Sequence, residues 1–125
     1  MARRIHFDSD LTTVGRAPVD LILGHDTPAS RALGGVLERT NHLWDLAGLE
    51  YSKRGQQMFH RGFLQVMPRL VVSGHYHLNL DAVESYVGDD GASFESRTVI
   101  LTKLGLGRAN AVVDLEELSV ELLEE

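Results

Sequence analysis

Two short apolar runs, each followed by a Gly-His pair, constrain the fold of this chain more than any other feature. Residues 19–23 lead into Gly24 and residues 70–73 lead into Gly74, and a His follows each Gly. Short continuous apolar runs of this kind are typical of strands that are buried on both faces, as in parallel sheets. We therefore expect both runs to be interior strands of one sheet.

The chain between these runs has helical signals. Thr27 offers a hydroxyl cap and Pro28 suits a first helical position, which predicts a helix that starts here and continues into the forties. From Ser52 to about Met67 the apolar residues fall on one face of a second helix, and Pro68 stops it. The first 80 or so residues therefore predict a strand-helix-strand unit with a parallel pair.

The remainder of the chain is rich in β-forming residues. Residues 82–87, 97–103 and 109–114 are predicted antiparallel strands separated by glycine-containing turns. The acidic tail, residues 115–125, fits either a turn and an edge strand or a short helix. The predicted fold class is α/β with an α+β character, in a single domain over residues 1–125.

The amino-acid composition and the net charge exclude several kinds of site and partner. A chain of 125 residues with 43% hydrophobic and 24% charged residues is an ordinary globular domain, and zero Cys excludes thiolate ligands and Cys nucleophiles. No apolar run approaches the ~20 residues of a membrane span, so we expect a soluble, cytoplasmic protein. A net charge of −6 disfavours bulk nucleic-acid binding but permits a compact phosphorylated substrate at a metal site.

Three histidines form the candidate site. Ligands gather beyond the carboxyl ends of parallel strands, which directs His25 and His75 toward one crevice. In an extended segment His77 faces the same side as His75. Neutral imidazole is a common metal ligand, so the set predicts a divalent-metal site. The alternative is that each His is a hydrogen-bonded core or loop residue.

Four further polar residues lie near this set in sequence or share its chemistry. Asp26 fits a partner that orients an imidazole, or a plain helix-start carboxylate. Asn79 fits a place beside the site, or a turn. Asp8 and Asp10 are candidate extra ligands, or part of a solvated strand face. No Ser shows a triad arrangement with a base.

Two segments resemble signatures of the calcineurin-like metallophosphoesterases. Residues 68–77 read PRLVVSGHYH, which is similar to that family's strand leading into Gly-His-x-His. Residues 19–28 read VDLILGHDTP, which is similar to the preceding signature, a strand that ends in a lone metal-binding His. The resemblance implies half of a β-sandwich flanked by helices.

The resemblance also implies site roles. His25 and His75 would bind one metal of a dinuclear site and His77 the other, with Mn, Fe, Zn or a similar divalent ion. Two such ions about 3.5 to 4 Å apart activate a water for attack on a phosphoester. The implied activity is hydrolysis of phosphomonoesters or phosphodiesters, with no catalytic residue assigned.

The family's earlier signatures, Asp-x-His, Gly-Asp and Gly-Asn-His, have no counterpart before His25. Three explanations stay open: a fragment or split-gene product, a shortened homologue that uses Asp8, Asp10 or a second subunit, and a non-catalytic remnant that binds a metal or a partner. An apolar strand without its neighbours leaves an exposed edge. We therefore expect association with a chain carrying the missing half, or a homo-oligomer.

Overall fold

The helices lie in the first half of the chain, and among the described residues the elements after α3 are all strands. The computed structural model describes residues 9–40, 45–103, 105 and 107–124. The elements are α1 (residues 9–14), β1 (Leu21–Leu23), α2 (Arg31–Thr40), α3 (Leu46–Val66), β2 (Leu70–Ser73), β3 (Leu80–Val87), β4 (Ser93–Ile100), β5 (Asn110–Asp114) and β6 (Ser119–Leu123). None of the helices in this part of the chain is long and apolar enough to cross a membrane.

The strands form one mixed sheet and one hairpin. The sheet has the order β1-β2-β4-β3, in which β1 is parallel to β2, β2 is parallel to β4, and β3 is antiparallel to β4. The hairpin joins β5 to β6, so the tail is a turn and a strand rather than a helix. The predicted parallel pair and the α+β character are confirmed.

Strand β1 corrects one expectation. It is three residues long and lies at an edge of the sheet, where Leu23 is 70% exposed. The predicted burial on both faces holds for β2, whose four residues are all buried, but is wrong for β1. The reason is topological, because no described strand pairs with β1 on the side away from β2.

The two faces of the sheet are covered differently. Helices α2 and α3 pack on one face, where Leu33 contacts Ile100 and the Phe63 ring contacts Phe94 with centroids 5.3 Å apart. The hairpin packs on the other face, against a cluster built around Val72 and Val99. The two Gly-His segments lie at the ends of β1 and β2, between this sheet and α3.

Helix α2 begins later than predicted. The Thr27 side chain is fully buried and does not cap the helix, which starts at Arg31. Instead the Ser30 hydroxyl accepts a hydrogen bond from the Leu33 N–H at 3.0 Å. The Glu84 carboxylate on β3 accepts from the first two N–H groups of the helix. A carboxylate from a distant strand thus stabilises the positive end of α2.

Helix α3 begins earlier than predicted and ends where predicted. Asp45 is its N-cap and accepts a hydrogen bond from the Gly48 N–H. Its C-cap is Met67, in the left-handed conformation with φ 46°, whose N–H donates to the Phe63 carbonyl. Pro68 follows and prevents another turn. The predicted stop is therefore confirmed.

His60 on α3 makes the stability of the fold depend on pH. Its Nδ1 accepts a hydrogen bond from the Ala29 N–H at 3.1 Å, and burial lowers its pKa below the ordinary value. As the pH falls, His60 therefore becomes protonated at a higher pH in the unfolded chain than in the folded protein. The contribution of neutral His60 to the free energy of unfolding is fully present above about pH 6.5. It is lost as the pH falls through the pKa that His60 has in the folded state.

We expect His60→Asn to weaken this pH dependence. The Asn Oδ1 can replace Nδ1 as the acceptor for the Ala29 N–H, but it does not titrate in this range. Urea unfolding at several pH values between about 5 and 8 measures the effect. An unchanged slope of stability against pH in the variant would show that His60 does not carry this dependence.

Candidate functional site

The site is built on the ends of two parallel strands. Leu23 on β1 is in register with Val72 on β2, and the chain continues the pairing beyond both strands. The Gly24 N–H donates to the Val72 carbonyl at 3.1 Å, and the Gly74 N–H donates to the His25 carbonyl at 3.2 Å. These bonds place the two Gly-His segments side by side, as the sequence predicts.

The imidazoles of His25 and His75 are in direct contact. His75 Nδ1 lies 3.1 Å from His25 Nε2, and the ring centroids are 4.9 Å apart at an interplanar angle of 69°. Two nitrogens each about 2.1 Å from one ion are about 3.0 Å apart at a right angle and about 3.4 Å apart at the tetrahedral angle. The observed separation fits two ligands of one ion, and it also fits a direct hydrogen bond between the rings.

The surroundings of the His75 imidazole favour its neutral form. Burial lowers its pKa, the nearby Asp26 carboxylate opposes that effect, and His25 and His77 add to the lowering. A neutral ring keeps one nitrogen lone pair, which is the form that binds metals. The electrostatic surroundings of His75 are thus compatible with a ligand role.

The loop that carries Gly-His-Tyr-His is a turn and not an extended segment. His75 and His77 both have positive φ, 74° and 57°. Tyr76, which an extended segment would turn away from its neighbours, packs against Leu33 and Ile100 and also lies edge-on to the His75 ring, with centroids 4.6 Å apart. His77 is exposed. Because the segment is not extended, the alternation of side chains along a strand does not place His75 and His77 on the same side.

Helix α3 forms the wall behind the two imidazoles. The Ser52 hydroxyl lies 3.2 Å from His75 Nε2, and the Phe59 ring lies against Gly24, where an added Cβ would be 3.1 Å from it. Gly55 lies between them on the same helix, and a Cβ there would be 3.1 Å from Asp26 Oδ2. Small residues on this face of α3 therefore allow the loops after β1 and β2 to approach the helix.

The remaining candidates lie in different surroundings. Asp26 Oδ1 accepts a hydrogen bond from the Thr27 N–H at 2.8 Å, beside the histidines. Asn79 donates instead to the carbonyls of Ile100 and Arg108. Asp10 is exposed on α1, which is helical, so the predicted strand alternation does not apply to it.

Asp8 lies outside the described residues. Within them, no group of three His, Asp, Glu or Cys side chains is close enough to hold an ion. The described part of the chain therefore brings together two of the three predicted ligands, His25 and His75. The metal-ligand assignment stays a prediction.

Ser52 and Tyr76 are site residues that the sequence did not point to. Ser52 lies 23 positions before His75 on a helix, and its contact with the ring arises only from the packing of α3 on the sheet. The one signal in the sequence is the small size of Ser52 and of Gly55, which follows it three positions later on the same helix.

The chain was compared with known protein families, proteins and structures. Neither a scan against protein-family models nor searches of curated proteins and of solved structures found a match for the chain.

Proposed function

We propose that this chain binds a divalent metal ion through His25 and His75 and that, with further ligands, it hydrolyses phosphoesters. The supporting observation is the 3.1 Å separation of His75 Nδ1 and His25 Nε2 at the carboxyl ends of two parallel strands. That separation fits two nitrogens on one ion. The resemblance of both strand-Gly-His segments to metallophosphoesterase signatures supplies the reaction class.

Each residue has a role in this proposal. His25 and His75 hold the first ion with neutral imidazole nitrogens, and His77 serves a second ion. Mn, Fe, Zn and similar ions suit a site of nitrogen and oxygen ligands. When bound, such ions supply the Lewis-acid chemistry and the activated water that phosphoester hydrolysis needs. Phosphorylated compounds are the substrate class, and the further ligands come from Asp8, from a second copy or from a chain carrying the missing half.

A non-catalytic module that binds a metal or a partner is the second candidate. One observation favours it, since no group of three potential ligands meets within the described residues. Two imidazoles alone leave an ion with most of its coordination shell in water. Such a site binds metal more weakly than a complete one.

Elemental analysis combined with hydrolysis of a generic aryl phosphodiester separates the two candidates. The proposal predicts about two bound ions per complete site and measurable turnover, both lost on treatment with a chelator. Metal binding without turnover, also after addition of a chain that carries the missing ligands, would favour the non-catalytic module. Absence of both metal and turnover would contradict a metal-dependent role for this chain.

Association is expected at the β1 edge. This strand pairs only with β2 within the described residues, and Leu23 at its end is 70% exposed. An unpaired apolar edge is a template for another strand. Light scattering at micromolar concentration should therefore find a dimer or larger species, or a complex with the chain that supplies the missing half.

The variant Leu23→Lys places a charge at this edge and should shift the distribution toward monomer. Val112→Lys is the matched control, because Val112 is 55% exposed on the hairpin and does not lie in the sheet. A wild-type chain that stays strictly monomeric, with or without the complementing chain, would contradict the expected association.

A further inference from the structure

A pair of buried hydroxyl groups joins the two loops that carry the histidines. Thr27 Oγ1 lies 2.5 Å from Ser73 Oγ, and both side chains are buried. This distance is at the short end of the range for O–H···O hydrogen bonds. Thr27 follows His25 by two positions, and Ser73 precedes His75 by two. The pair therefore links the segment after His25 to the segment before His75.

Ser73 is held in place independently of the loop after β1. It is the last residue of β2, which pairs with β1 on one side and with β4 on the other. Ser73 is in register with Ile100, and its carbonyl accepts a hydrogen bond from the Leu101 N–H at 2.8 Å. The pairing of β2 with β4 thus fixes the position of the Ser73 hydroxyl.

The loop after β1 has weaker support from its own strand. Strand β1 has three residues, pairs only with β2 within the described residues, and ends at the exposed Leu23. The His25 side chain is exposed, so burial of its ring does not hold it. The Gly74 N–H donates to the His25 carbonyl at 3.2 Å, the upper end of the usual range. Thr27 is fully buried, and both its N–H and its hydroxyl are hydrogen-bonded.

Burial makes the hydroxyl pair a strong constraint on this loop. Water does not compete readily for a buried hydrogen bond, and a buried hydroxyl that loses its partner can cost more free energy than the bond itself contributes. A displacement of Thr27 from Ser73 leaves two such hydroxyls unpaired. The loop after β1 therefore leaves the end of β2 only at the cost of this pair.

We propose that Thr27 and Ser73 form a clamp that holds the loop after β1 against the end of β2 and so keeps the imidazoles of His25 and His75 in contact. Both are positioning residues, which act on the rings through the backbone of the two loops. Ligands on separate loops bind one ion only if both loops are held at the required spacing. The consequence for metal affinity rests on the proposed function, whereas the clamp itself does not.

Three variants separate a clamp from a contribution to stability alone. Thr27→Val removes the hydroxyl and leaves that of Ser73 buried and unpaired. The double variant Thr27→Val/Ser73→Ala removes both hydroxyls, and apolar replacement of both partners can be nearly neutral for stability. Thr27→Ser keeps a hydroxyl at this position. A role in stability alone predicts that the double variant behaves like the wild type, whereas the clamp predicts that its loop is released.

Amide hydrogen exchange of the metal-free full chain is the direct test. The Gly74 N–H reports on the loop after β1, because it donates to the His25 carbonyl, and the Leu101 N–H reports on β2, because it donates to the Ser73 carbonyl. Relative to Leu101, we expect several-fold faster exchange of Gly74 in Thr27→Val and in the double variant, because only the loop opens. Thr27→Ser should exchange like the wild type.

Titration with Zn²⁺ or Mn²⁺ gives the second readout. Loss of a group that orients a metal ligand typically costs about 10- to 100-fold in affinity. Because Thr27 acts on His25 through the backbone, we expect about 10-fold in Thr27→Val and in the double variant. Ser96→Ala is the matched control, since Ser96 is also buried in the sheet and its hydroxyl has no hydrogen-bond partner among the described residues. Its metal affinity should equal that of the wild type.

Equal acceleration of Gly74 and Leu101 exchange in Thr27→Val, or Gly74 exchange at the wild-type rate in the double variant, would overturn the clamp. Wild-type metal affinity in the double variant would overturn the positioning role. Faster Gly74 exchange in both variants, with a wild-type chain that binds no metal, would support the clamp and contradict the proposed function. The two proposals therefore fail separately.

Discussion

Replacing His75 with alanine is expected to lower the affinity for a divalent metal ion by more than about 100-fold, because changes to residues that only orient a ligand already cost about 10- to 100-fold. The variant removes a ring that contacts both His25, at 3.1 Å, and Ser52, at 3.2 Å. Isothermal titration of the metal-free protein with Zn²⁺ or Mn²⁺ measures the change.

Further variants show whether the loss is specific to the metal site. His25→Ala should cause a similar loss, and the double variant should lose little more than either single one, because the two rings act on the same ion. His60→Asn is the control, since His60 lies on the same helix as Ser52 but bonds to the Ala29 N–H. Equal affinity in His75→Ala and in the wild type would remove His75 from the metal site.

Replacing Phe63 with alanine is expected to reduce the free energy of unfolding by about 3–5 kcal/mol. Phe63 is 1% exposed on α3 and contacts the rings of Tyr86 and Phe94, with centroids 4.8 and 5.3 Å away. The loss is a large part of the roughly 5–15 kcal/mol that stabilises a typical domain. Urea unfolding followed by circular dichroism measures it.

The control for this variant is Gln57→Ala, an exposed position on the same helix. Surface substitutions of this kind usually change stability by less than about 0.5 kcal/mol. A loss in Phe63→Ala no larger than that of Gln57→Ala would mean that α3 does not pack on the sheet as described.

Local patterns predicted the central part of the fold. The apolar runs at residues 19–23 and 70–73 lie in the parallel pair β1 and β2, and Pro68 ends α3 as predicted. The sequence predicts the start of β4 at Arg97 instead of Ser93, because the buried residue just before Arg97 is Ser96, which is polar and gives no apolar signal. Patterns of residue type predict burial only where the buried residues are apolar.

Contacts between distant elements could not be predicted in the same way. Glu84 stabilises the start of α2 from a different strand, which no helix-start motif near residue 31 contains. The same holds for the site, where the approach of His25 to His75 follows from strand ends but the contact of Ser52 with His75 does not. The positive φ of His75 and His77 also means that strand alternation does not determine how these two side chains are oriented.

X-ray absorption spectroscopy of the protein loaded with one equivalent of Zn²⁺ shows whether His25 and His75 bind the same ion. We expect two imidazole nitrogens per ion at about 2.0–2.1 Å in the wild type. One of them should be absent in His25→Ala and one in His75→Ala. A zinc ion with only oxygen ligands, or a protein that retains no zinc after loading, would contradict the account.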